Sequence, residues 1–187
     1  MKPRVVSKKW NFLLLTQTVP PPAVPEAKMK PAESHQRISV AEPYCILLAD
    51  NHALFRREIK RIIQAGTGLK VMGEVGNGPE LFQFLQDFSP HLVILDISLP
   101  NLRGLEAMRR IKPNNPGLKV LILIWDQEPE YLYRAMEAGA AGCLLKEEVE
   151  LELPLAIETI RQGGIYLSVT WPDKSLLHDI ELKNNFA

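Results

Sequence analysis

The sequence predicts a doubly wound α/β domain built on a parallel sheet, and three observations carry that prediction. Between Tyr44 and Tyr166, short apolar runs alternate with amphipathic stretches of helical period. The apolar runs are near-continuous, as strands covered on both faces require. Proline and glycine punctuation falls between the runs, leaving each strand a helical crossover to a parallel partner.

The elements follow in order. Cys45–Ala49 is the first strand. Phe55, Ile59, Ile62 and Ile63 then stripe one face of a helix that Gly66 is placed to end. Leu69–Val75 is a second, more polar strand. Pro79 suits the first turn of the next helix, with Leu81, Leu85 and Phe88 on one face. Leu92–Leu95 is the third strand, and Leu105, Met108 and Ile111 form the stripe after it. Val120–Ile124 is the fourth; Pro129 opens the following helix and Gly139 closes it. Cys143–Leu145 is the fifth strand, and Leu153, Ile157 and Ile160 mark the last helix, where Pro154 sits early enough to be tolerated.

The 187 residues carry 22 basic and 22 acidic side chains, so the net charge is zero. That balance argues against a dedicated nucleic-acid binder, which usually carries a basic excess. The charge is unevenly spread, however. Residues 1–43 hold seven basic and three acidic side chains and five of the prolines between Pro20 and Pro31, which reads as a disordered, basic, proline-rich arm. Its apolar run, Trp10–Leu15, is too short for a secretory signal and lacks a small-residue cleavage site. No stretch has the apolar length to span a bilayer, so no membrane contact is expected. Two cysteines are too few for a disulfide framework or structural zinc, which points to a reducing cytoplasm. Residues 44–166 form the domain and 167–187 a linker-like tail. Leu176, Leu177 and Ile180 suit one short helix, whereas a recognition helix needs supporting helices, so no direct DNA binding is expected.

Chemistry in such sheets collects beyond the carboxyl ends of the strands. Asp50 and Asn51 follow the first strand, Asp96 the third and Lys146 the fifth. Two carboxylates, an amide oxygen and an ammonium then share one pocket. Oxygen donors at that density suit Mg²⁺, and an aspartate beside such a metal can attack phosphorus. Either aspartate alone reads as a helix cap at a βα turn. Set at three separate strand ends, the group reads as a site.

At these residues the sequence resembles bacterial response-regulator receiver domains of the NarL/LuxR type. Ile46–His52 is similar to the apolar strand and acidic pair that open them. Leu95–Glu106 looks like the segment around the phosphorylated aspartate, and Glu137–Lys146 like the one ending in the lysine. Gly163–Ser168 resembles the exit from the last helix. The resemblance implies a flavodoxin-like (βα)5 fold of strand order 2-1-3-4-5. It also implies a phosphoryl group taken by Asp96 from a histidine kinase, and Lys146 binding that group or its aspartate. Mg²⁺ would be held by Asp50, Asn51, Asp96 and the Ser98 backbone carbonyl. No other enzymatic activity is expected.

The chain departs from the family where the signal would pass. Asn51 replaces an acidic metal ligand and loses a charge, which predicts a weaker Mg²⁺ site. Ile124 replaces the Ser or Thr that hydrogen-bonds the phosphoryl group, and Cys143 replaces an aromatic switch residue. A second reading is therefore a degenerate receiver that binds partners, or a second copy, through its fourth-helix, fifth-strand and fifth-helix face without regard to phosphorylation. Trp125, Tyr131 and Tyr133 are candidate anchors there. Enzyme readings are weaker. Ser98 stands where a haloacid-dehalogenase-like phosphatase needs its second Asp, and Asp50–Ala53 is no flavin phosphate loop. His52, at a helix start, reads as a surface residue.

Overall fold

A computed structural model describes residues 42–102, 104–125 and 129–170. Six strands run parallel: β1 (Tyr44–Ala49), β2 (Leu69–Val75), β3 (Leu92–Asp96), β4 (Lys119–Ile124), β5 (Gly142–Leu145) and β6 (Tyr166–Leu167). Their order is β2-β1-β3-β4-β5-β6. Between them lie α1 (Ala53–Ala65), α2 (Gly78–Asp87), α3 (Gly104–Asn114), α4 (Pro129–Glu137) and α5 (Val149–Arg161), with a 3₁₀ turn at Lys146–Glu148. The arm, the tail from Trp171 and the Leu105 side chain lie outside the described residues.

Alternation along each strand splits the core into two layers. Leu47, Val93, Leu95, Ile122, Ile124 and Cys143 face α2, α3 and α4. Ile46, Leu48, Ile94, Leu121, Leu123 and Leu144 face α1 and α5. Every residue of β3 is buried, which is why its sequence reads as one apolar run. β2 is only half-buried, in keeping with its polar residues and its place at the sheet edge.

Two expectations change. A sixth strand extends the sheet past the fifth, so folded structure continues beyond residue 166, and Ser168 has no exposed surface. Phe88 leaves the buried face of α2: it follows the helix, lies 51% exposed and packs its ring tilted against Phe84, with centroids 4.7 Å apart. Gly66 ends α1 as expected, with extended backbone at φ −84°, and the left-handed residue is Gly68 at φ +70°. Pro154 is tolerated as expected: it lies inside α5, exposed to solvent, and the helix runs on.

Candidate functional site

The carboxyl ends of β1, β3 and β5 converge, and Asp50, Asp96 and Lys146 meet there. All three are buried. Lys146 Nζ donates to Asp50 Oδ2 at 2.6 Å and lies 3.0 Å from Asp96 Oδ2. Asp96 Oδ2 still lacks a hydrogen bond: the ammonium gives it charge but no aligned donor. Its other oxygen is well held. The Ser98 amide and hydroxyl both donate to Asp96 Oδ1, at 3.0 and 2.8 Å. The buried Asp96 carboxylate thus has one oxygen held by two hydrogen bonds and one paired only by charge.

Asp50 is tied to the start of α1. Its Oδ1 accepts the His52 amide at 2.7 Å and lies 3.2 Å from His52 Nδ1. Arg56 donates to the Asp50 carbonyl and also to Glu74, 3.3 Å away, so α1 and β2 fix the aspartate's backbone. Lys60 and Arg56 together hold the Glu74 carboxyl below its ordinary range.

Lys146 is covered as well as paired. Its Nζ lies 4.9 Å from the Phe55 ring and 5.3 Å from the Trp125 ring, and those rings sit 6.2 Å apart. A cation under two aromatic faces gains attraction that strengthens as water is excluded. Trp125, expected as a partner anchor, is thus a roof over the pocket with half of its surface in solvent. Tyr131 and Tyr133 on α4 are exposed.

The structure brings together Asp50, Asp96, Lys146 and Ser98. Asn51 is exposed beside them. Ile124 and Cys143 are buried in the apolar layer under the site. The contacts of Ser98 with Asp96 run through its amide and hydroxyl. His52 remains largely exposed, as expected, but its ring joins the two aspartates, with one potential ligand atom from each within 4.8 Å of the others. Sequence reasoning missed Phe55, Arg56 and the Ser98 hydroxyl. Only Ser98 left a local signal, a hydroxyl two residues after a strand-end aspartate.

Known proteins share this architecture. The family model of the response regulator receiver domain matches residues 46–158. The response regulator UvrY of Escherichia coli (strain K12) is 32% identical over 136 residues, covering 73% of this chain and 62% of UvrY. The transcriptional regulatory protein DegU of Brevibacillus brevis is 31% identical, covering 65% of this chain and 52% of DegU. The chain therefore spans little more than half the length of these curated relatives. Among solved structures, a LuxR-family two-component response regulator from Aurantimonas sp. SI85-9A1 is 28% identical with a TM-score of 0.65, covering 77% of this chain and all but 1% of that one. The non-phosphorylated receiver domain of Escherichia coli RcsB, at 22% identity and the same TM-score, shares the fold. A matching family model over most of the folded region, on a sheet wound in the same order, places the chain in the response regulator receiver domain family of two-component systems.

Proposed function

We propose that this domain accepts a phosphoryl group on Asp96 from the phosphohistidine of a sensor histidine kinase. The observation that carries the reading is Asp96 Oδ2, a buried oxygen without a hydrogen bond, set against a buried ammonium. Ser98 occupies Oδ1, which leaves Oδ2 as the nucleophile. As the O–P bond forms, the N–P bond breaks; its electron pair returns to the imidazole, which keeps or takes up a proton. Lys146 then turns from the carboxylates to the new phosphoryl oxygens and offsets their charge. Asp96 has no exposed surface at rest, so Lys146 and its aromatic roof must shift before a donor reaches it.

A divalent cation of the Mg²⁺ class fits the donor set, because Asp50 and Asp96 bring carboxylate oxygens within 4.8 Å of one another. Asp50, Asp96, the Ser98 carbonyl and the Asn51 amide oxygen would hold it. Bound there, it neutralises charge on the transferred oxygens. Asn51 supplies one charge fewer than a carboxylate, so weaker binding is expected. The cytoplasm is the compartment that suits two free cysteines.

The second reading, an interaction module indifferent to phosphorylation, is favoured by the burial of Ile124 and Cys143, neither of which can pull a polar switch inward. It would use the α4–β5–α5 face toward a partner protein or a second copy.

The test is intact mass after incubation with Mg²⁺ and a phosphorylated histidine-kinase domain or acetyl phosphate. One added phosphoryl group is expected, and Asp96→Asn should abolish it. A label that survives Asp96→Asn sinks the assignment; no label on the unaltered protein favours the second reading.

A further inference from the structure

The chain's exit is fastened to the strand that carries Lys146. Ser168, without exposed surface, brackets β5: its amide donates to the Cys143 carbonyl at 3.1 Å, and its Oγ accepts the Leu145 amide at 2.9 Å. Leu145 directly precedes Lys146. Glu152, buried on α5 six residues after Lys146, grips the same segment with both oxygens. The Tyr166 hydroxyl donates to Oε2 and the Val169 amide to Oε1, each at 3.0 Å. β6 also lies so close to β5 that a Cβ on Gly142 would collide with the Tyr166 carbonyl. Four hydrogen bonds thus lock residues 166–169 onto the two elements that flank the pocket lysine.

We propose that this clip reports the state of the pocket: displacement of Lys146 from Asp50 and Asp96 loosens Ser168 from β5 and frees residues 166–169. The idea rests on Asp96 being the phosphoacceptor and adds the route by which its state is read. Ile124, at the end of β4, has no polar group to carry a signal along that strand, whereas the Leu145 amide is one peptide from the lysine. Small shifts at one site are amplified where the receiving contact has two discrete states, bonded or open.

The experiment measures amide exchange at Leu145, Ser168 and Val169 in the full chain, referenced to β1 amides. It compares untreated protein, protein with Mg²⁺ and beryllofluoride, and Lys146→Met. At least tenfold faster exchange at these amides is expected in the last two. Unchanged exchange in Lys146→Met overturns the proposal. Fluorine NMR reports beryllofluoride binding separately: absence of a bound signal counts against Asp96 as acceptor, and Lys146→Met then decides the clip alone. If Lys146→Met does not fold, Ser168→Ala decides. A working clip predicts a shifted Lys146 Nζ resonance in that variant, whereas a merely structural clip leaves it unmoved.

Discussion

Lys146 is a single ammonium serving two buried carboxylates. Lys146→Ala leaves Asp50 and Asp96 facing each other without a counter-charge, so a loss of about 3–5 kcal/mol is expected in urea unfolding. A loss below about 1 kcal/mol would show that water already fills the pocket. Cys143 makes a different prediction. Burial pushes its thiol up to about 12, whereas Cys45 is only half-buried. At pH 8, one thiol of the native chain should react with Ellman's reagent and the second only after denaturation; two fast thiols would show that β5 opens readily. Glu74 gives a pH signature. Its folded pKa is depressed by Lys60 first and by Arg56, so the stability it adds is present above its ordinary value of 4.5 and lost as pH falls through the lower, folded value. Glu74→Gln should shrink that acid-side loss, by no more than about 1 kcal/mol for so exposed a pair. The positions of Asp50, Asp96 and Lys146 were legible because each is a polar residue at the end of an apolar run. The aromatic roof was not, since Phe55 and Trp125 come from different crossovers and only the folded sheet sets them over one lysine.

At the scale of elements, apolar continuity located β1, β3, β4 and β5, the more polar β2 showed less sharply, and the helical stripes located the helices. β6 escaped because two residues carry no period, and the glycines before it read as the end of the domain. Nothing in Tyr166-Leu167-Ser168 alone says that a serine will be sealed from water; its partners lie 23 residues or more upstream. Gly142→Ala tests this element. The added methyl meets the backbone of Tyr166 rather than a flexible side chain, so β6 must move. A cost of about 1–3 kcal/mol is expected, with faster amide exchange at Leu167 and Ser168 and little change in β1. Equal acceleration in both strands would mean that β6 is no separate unit.

For the whole molecule, the alternation of elements predicted a doubly wound sheet, while the order of its first five strands came from the family resemblance. Loss of structure should follow burial. Amides of β1, β3 and β4, flanked on both sides, are expected to exchange most slowly, and those of β2 and β6 at the edges faster. Protection of β2 equal to that of β3 would contradict this ranking. The last position of β6 also matters during synthesis. The ribosome completes β5 before it makes the residues that cover β5's outer edge, so a nascent chain that halts at Arg161 presents an open, apolar strand edge to its neighbours. Twenty-three codons separate the end of β5 from Ser168. A nascent chain cut short of that serine therefore leaves β5 as an apolar edge strand prone to pair with other chains, whereas one that passes it ends the sheet on the short β6.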